Sequence, residues 1–564
     1  MLLMTTSLPR WGRAGCCILA VSVAMPAFAQ SNTPASGADN LATPDIRGSA
    51  SGDSPVDPLV TTPASVQETD STAQEQEAKA PSITREPEAG VVDDTAPRNI
   101  GTPPGPYPVE GQGWGPKTGR NFYMIRYAED WSYLADPKAE DVPLRNLKYI
   151  PLGTGDGAYL TLNGYERIRY VYSSRPYMDE ARSRDRHEIQ TRTMFGADAH
   201  LNENFRVYAE IGNMETFGRN QEAHIGVHED NLNLQQLFAE ARFPVAGGGK
   251  AGVMIGRQQF YDGSRVILST REGPNVPLSM NGVRLWSQWD KFRFSAFALY
   301  GSEDDTSVLG DGVDTDVSLS GVNTSFVVAN GDVAGQDSQV FFDPFFFHYL
   351  DKDHTIGLVS GRDRRETYGA RLWGHVGRFQ FDWSAIQQDG DFAGRPVDAY
   401  TISAEQSLAL ASGRDAPRIG LHAEIASGGG YYTQTGPIHS FNPINGANIL
   451  FTEINTLTGI NLAKLGPNIT FNPVKNVNIF AEAGFYWRRD ENEPLYRTSF
   501  EPYAGTENVK GKEAMQIYRA RMRWTINQNV SVVQQVEYVA AGKVLDRAGF
   551  KDEIYAATEL HLRF

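Results

Sequence analysis

Cysteine is almost missing from this chain. Only Cys16 and Cys17 occur in 564 residues, side by side near the N-terminus. A mature chain cut beyond them would contain none, which excludes a disulfide framework, a thiolate metal site and a cysteine nucleophile. Long apolar runs are scarce too. The run from Cys16 to Met25 is too short to span a bilayer comfortably, and the mean hydropathy is −0.40. No later segment reads as a transmembrane helix, which leaves membrane strands open, because their apolar half is averaged away by alternation. Positive charge is not in excess either. The net charge of −16 argues against nucleic acid as a partner.

Catalytic and metal-binding signatures are lacking. No G-x-x-x-x-G-K and no H-E-x-x-H occurs, and no serine sits in a recognisable nucleophile setting. His187, His200, His224 and His228 do not follow a metal-ligand spacing. The acidic stretch from Glu303 to Asp316 offers oxygen ligands but lacks the bidentate Glu of a calcium loop, so a solvated loop is the simpler reading. We expect no enzyme, no metal and no cofactor.

The N-terminus carries Arg10 and Arg13, the short apolar run, and Ala27-Phe28-Ala29 as an A-x-A cleavage site. Residues 1–29 therefore read as a secretory signal peptide, with the mature chain starting at Gln30. From Gln30 to about Pro106 there is no Phe, Trp or Tyr, and Pro, Ser, Thr and acids dominate. Such a composition cannot bury enough apolar surface to offset its ordering entropy. Residues 30–118 read as a disordered periplasmic segment, either a spacer or a docking site for a periplasmic partner.

From residue 119 aromatics become frequent and segments of period two recur. Between Tyr159 and Tyr172, Leu160, Leu162, Ile168, Tyr170 and Tyr172 share one side, with Thr161, Asn163, Arg167 and Arg169 opposite. Ile189 to Leu201 repeats the pattern. After Asn202-Glu203-Asn204 it restarts with Phe205, Val207, Ala209 and Ile211, a hairpin signal. Similar runs lie at Arg284 to Trp289, Lys291 to Tyr300, Thr367 to Val376, Arg378 to Gln388, Val477 to Arg489, Gln516 to Ile526 and Val530 to Val539. The last run alternates up to Phe564 and resembles the C-terminal assembly signal of bacterial outer-membrane barrels. We therefore expect residues 119–564 to form an all-β, antiparallel transmembrane barrel. At roughly ten residues per membrane strand it would have about 16–18 strands. The aromatic stretch from Phe341 to Tyr349 could be an interfacial girdle or a loop folded into the pore.

In such a barrel the apolar side chains face lipid and the polar ones face the lumen. The lumen face is rich in arginine. Arg519, Arg521 and Arg523 form an R-x-R-x-R stripe, and Arg167 and Arg169 repeat it in the first strand. Arg192, Arg206, Arg242, Arg257, Arg284, Arg293, Arg371 and Arg488 also fall on expected pore-lining positions. Acids are interspersed, among them Glu210, Glu240, Asp382, Glu482, Glu537 and Glu559. The basic positions admit two readings. One is a salt-bridged wall. The other is a positive constriction for anions, since the arginine fork binds carboxylates bidentately and stays charged.

Several blocks resemble the alginate export family of Gram-negative outer-membrane barrels. They are Asn121 to Pro137, Leu147 to Leu152, Ile255 to Phe260, Asp262 to Arg265, Asn281 to Leu285, Ala426-Ser427-Gly428, Phe441-Asn442-Pro443 and Gly484 to Arg488. The family usually has an Asp where Asn281 stands and an acid where Gly429 stands. The resemblance implies an arginine-lined pore that passes an anionic polysaccharide outward and is gated by internal loops. Outer-membrane lipid and an anionic polymer or small anionic solute are the implied partners. Uptake of small anionic or aromatic solutes, and a structural or adhesive barrel, are the alternatives.

Overall fold

The computed structural model describes residues 117–564, apart from 120–121, 140–141, 154–156, 180–184, 220–225, 271–272, 304, 414, 455 and 498–499. The expected signal peptide lies outside the described residues. So does the expected disordered segment, except its last two positions, which belong to β1 (Lys117–Gly119). This strand pairs with β2 (Phe122–Tyr123). The chain continues through a short helix α1 (Arg145–Lys148) and β3 (Ile150–Pro151), which pairs with the start of β4.

Eighteen antiparallel strands then close into a barrel. They are β4 (Tyr159–Ser173), β5 (Arg186–His200), β6 (Phe205–Arg219), β7 (Asp230–Val245), β8 (Gly249–Gln258), β9 (Met280–Gln288), β10 (Phe292–Ser302), β11 (Val313–Val333) and β12 (Gln336–Ile356), followed by β13 (Val359–Val376), β14 (Phe379–Phe392), β15 (Arg395–Ala409), β16 (Arg418–Ala426), β17 (Leu462–Val474), β18 (Val477–Arg488), β19 (Glu513–Asn527), β20 (Val530–Ala541) and β21 (Glu553–Arg563). Closure satisfies the ladder groups that an open edge would strand in lipid.

The alternation expected from sequence holds in β4, β5 and β6. On β4, Ile168 is 41% exposed while Arg167 beside it is 1% exposed. The outer wall carries Ile189, Phe195, Phe205, Val207, Ile211, Trp383, Ile402, Trp524 and Val536, which is a lipid-facing surface. The hairpin between β5 and β6 turns where expected. Asn202 accepts the backbone N–H groups of Asn204 at 2.8 Å and Phe205 at 3.0 Å, a turn that a short amide side chain can close. The stretch from Phe341 to Tyr349 is strand throughout, within β12. Phe342 and Phe346 face out, and Phe341, Phe345 and Phe347 are buried inside. The acidic stretch is a loop only to residue 312, since Val313 opens β11.

Turns at one end of the barrel are short, such as 334–335 and 475–476, whereas the other end carries loops 259–279, 427–461 and 489–512. These three loops fold inward. Their Ile267, Leu268, Phe441, Phe451, Leu457, Tyr496 and Tyr503 pack with inward Phe297, Phe347 and Tyr486 in one apolar cluster. The core thus sits in the lumen, and each large side chain buried there contributes about 1.5–3 kcal/mol.

The seam between β21 and β4 pairs Tyr555 with Ser173 through Arg563 with Tyr165. Two further hydrogen bonds, each 3.0 Å, join Phe564 and Gly164 backbones in both directions. The Phe564 ring lies over Gly164, where a Cβ would fall 2.1 Å from it. Replacing Gly164 with Val should evict the ring, weaken the seam and lower the temperature at which the barrel loses its compact migration in detergent gels. An unchanged transition would contradict the ring's role in closure.

Candidate functional site

Loops inside a barrel bring backbone carbonyls away from water, and each needs a donor. The inward arginines of the wall supply them. Loop 259–279 turns through Pro274-Asn275-Val276-Pro277, where the prolines have no N–H of their own to contribute. Arg192 donates to the carbonyls of Asn275 (2.8 Å) and Pro274 (2.6 Å). Arg167 donates to Pro274 at 3.1 Å, and Arg169 to Gly273 at 2.6 Å. Asn275 returns the contact by donating to the Thr191, Glu215 and His228 carbonyls. Nearer the start of this loop, Asp262 accepts from Arg293 on β10 at 3.0 Å and Arg284 on β9 at 3.5 Å. Burial alone would raise the Asp262 carboxyl, but these two guanidiniums outweigh it and hold it below the ordinary aspartate range.

Loop 427–461 meets loop 259–279 in the lumen. The N–H groups of Asn445 and Ala447 donate to the Ile267 and Arg265 carbonyls at 3.1 and 2.8 Å. Its segment 449–456 then hangs from the wall by side-chain hydrogen bonds. Arg519 on β19 donates to the Ile449 carbonyl at 2.6 Å, Lys464 on β17 to Leu450, and Tyr486 on β18 to Phe451 at 2.6 Å. Arg521 grips the Glu453 carboxylate through Nη2 at 2.8 and 2.6 Å and through Nε at 3.3 Å. The Glu453 backbone N–H donates to Glu537 at 2.6 Å.

This segment lies between two small cavities, of about 40 and 50 Å³, with Ile449 lining both. The one toward the short turns is lined by Arg265, Arg418, Arg519 and Arg521 with Glu405 and Glu482. The one toward the long loops is lined by Arg169, Arg186, Tyr177, Glu453 and Glu553.

All the arginines expected to line the pore lie on the inward face. Arg523 alone among them is partly exposed, the rest being buried. Acids engage most of them. Arg206 bonds Glu240 (2.6 Å) and Asp198 (2.8 Å), and Arg242 meets Glu240 at 2.8 Å. Arg371 grips Asp382 at 2.8 and 2.6 Å, and Arg169 also meets Glu559. Arg519 bonds Glu482, its cross-strand neighbour, at 2.9 Å. Others hold loop carbonyls. Arg257 donates to Gly312 at 2.8 Å and to the Asn281 side chain at 2.9 Å, an amide that gives it a neutral partner. Arg488 holds Gly511, Thr506 and Val509 of loop 489–512.

Sequence reasoning missed several participants. Arg126 enters the lumen from the N-terminal segment and bonds Glu210 on β6. Tyr127 beside it packs on Tyr208 and Phe238. Arg265 pairs with Glu405, and Arg365 holds Asp363 at 2.9 Å and the Tyr431 hydroxyl at 2.8 Å. Glu453 lies in no periodic run, so nothing in the pattern singled it out.

A family model described as "Alginate export" matches residues 158–557. A search of curated proteins found no match. Among solved structures the chain is similar to Acinetobacter baumannii OccAB1, at 11% identity over 74% of this chain and 99% of that one, with a TM-score of 0.49. It is also similar to Pseudomonas aeruginosa OccK2 (OpdF) in complex with glucuronate, at 10% identity, 72% and 98% coverage and a TM-score of 0.47. Pseudomonas aeruginosa OccK5 (OpdH) gives 10% identity, the same coverage and a TM-score of 0.46.

Loop 489–512 carries a titratable contact. Glu493 accepts from the Tyr496 hydroxyl and from the Tyr432 N–H of loop 427–461. Burial pushes its carboxyl up to about 7, against these two hydrogen bonds, which act the other way. A docked loop therefore keeps a proton that an undocked one, titrating near 4.5, releases. Docking is fully favoured below the undocked value and weakens as pH rises through about 7. Hydrogen-exchange protection of 489–512, corrected for the intrinsic rate, should fall between pH 5 and 8. In Glu493→Gln it should stay level, and an identical decline in that variant would refute the assignment.

Proposed function

The chain belongs to the alginate export family and is an outer-membrane β-barrel of the channel type, and from that premise we propose that it passes an anionic, alginate-like polysaccharide outward without catalysis. Short turns of such barrels face the periplasm and long loops the outside. The cavity containing Arg265, Arg418, Arg519 and Arg521 is then the periplasmic vestibule. The cavity lined by Arg169, Arg186, Tyr177 and Glu453 is the external one.

One observation carries the reading. Where the two cavities meet, the wall already holds a carboxylate, Glu453, between Arg521 and Arg519. A uronate carboxylate has the same two-oxygen geometry, and a charge-assisted bond to a guanidinium is stronger than a neutral one. Sites of this kind recur around the lumen, so a polymer can pass from one to the next without any single site holding it fast. Positive side chains in a narrow, low-dielectric passage also concentrate anions ahead of the constriction.

Purified protein in a planar bilayer should give an anion-selective current that polyuronate blocks and a neutral glucan does not. Substituting Arg519, Arg521 and Arg523 together with Ala should weaken the polyuronate block by about tenfold or more, since a hydrogen bond to a charged group contributes about 1.5–3 kcal/mol. Current unaffected by polyuronate would refute the polysaccharide reading and favour passage of small solutes.

A further inference from the structure

Glu453 occupies the carboxylate site at Arg521, yet it comes from a loop and not from the barrel wall. Its side chain is fully buried, and its removal would break no strand ladder. Glu482 differs. It sits on β18, directly opposite Arg519 in the ladder, and also meets Lys464 at 3.0 Å. Arg519 therefore keeps a wall carboxylate whatever the loop does, while the carboxylate on Arg521 is exchangeable.

Resting on the anionic-path reading above, we propose that Glu453 is a built-in competitor for this site and makes the channel select chains bearing several carboxylates over solutes bearing one. The argument is one of effective concentration. A tethered carboxylate is presented to Arg521 at an effective concentration in the millimolar range or above. A single free carboxylate must exceed that to displace it. A polymer need not, because once one unit is held nearby, its next unit is also delivered intramolecularly.

The periplasmic cavity contains a holding point for that first unit. Arg418, on β16 near the short turns, lines the same cavity as Arg521 and is partly exposed. It donates to the Ser407 hydroxyl at 2.9 Å and to the Ser407 and Arg378 carbonyls, groups that carry no charge. An arriving carboxylate docks at Arg418 without displacing an acid, and a later unit of the same chain then reaches Arg521 and replaces Glu453. The remaining ties of the loop segment include hydrogen bonds to its carbonyls from Arg519, Tyr486, Tyr503 and Lys464 and one from the Glu453 N–H to Glu537, which can break one at a time.

The test is channel block by a monomeric uronate and by an oligouronate of the same sugar, compared at equal total carboxylate and fixed ionic strength. In the unmodified protein the oligomer should block at a concentration at least about 100-fold lower, as linkage of weak sites gives. In Glu453→Gln the monomer should gain and the ratio should shrink about tenfold or more. Glu453→Asp should keep most of it. A ratio unchanged in Glu453→Gln, with the oligomer still blocking, overturns the role of Glu453 and leaves the polysaccharide reading standing. Absence of block by either uronate in the unmodified protein overturns that reading and the selection scheme with it. If Glu453→Gln fails to assemble, Arg418→Gln decides the matter. There the oligomer should lose most of its advantage over the monomer, and an undiminished advantage overturns the proposal.

Discussion

The structure depends on one constraint, the supply of hydrogen-bond donors inside the lumen. A barrel wall satisfies its own backbone through the closed ladder. Loops that fold into it cannot, because they arrive with irregular backbone and carbonyls that water no longer reaches. Arg167, Arg169, Arg192, Arg257, Arg488 and Arg519 each reach inward from a strand to such a carbonyl. A guanidinium suits the task because it has five donors in a rigid fork and stays charged when buried. Carboxylates from the wall and the loops then balance the charge that these arginines bring in, as Asp262 does for Arg284 and Arg293.

This arrangement joins the two readings that the arginine pattern left open. In the proposed function the salt-bridged wall and the anion site are made of the same side chains. An arginine able to hold a loop carbonyl or a loop carboxylate holds a ligand carboxylate by the same bonds. In the proposed function the loops that fill the lumen also stand in for what passes through it, and their departure and the ligand's arrival are a single exchange. Burial of Phe441, Phe451, Leu457 and Tyr503 sets the strength with which the loops stay.

The wall was far more legible than its contents. β4 and β20 alternate over most of their length, so period two placed their limits and inward residues closely, whereas β6 runs on to Arg219, well past the Ile211 where its alternation was read. β11 was harder, because its inward positions include the small polar Asn323 and Ser325 and its first residues are acidic. β13 begins eight residues before the run expected at Thr367, since Gly361 and several charges hide the alternation. Loop residues carry no period at all. Glu453 and Arg265 could be placed only by their partners across the lumen, and those partners are 68 and 140 residues away in sequence. The arginines and the wall acids that meet them, such as Glu240, Asp382, Glu482 and Glu559, were readable because they belong to strands, but the loop groups they hold were not.

A structure of the channel bound to an oligouronate tests the central claim most directly. The account predicts a uronate carboxylate in the fork of Arg521, with Glu453 displaced from it and Glu482 still on Arg519. An intact Arg521–Glu453 pair, with the oligomer seated away from the arginines that hold the loops, would contradict it.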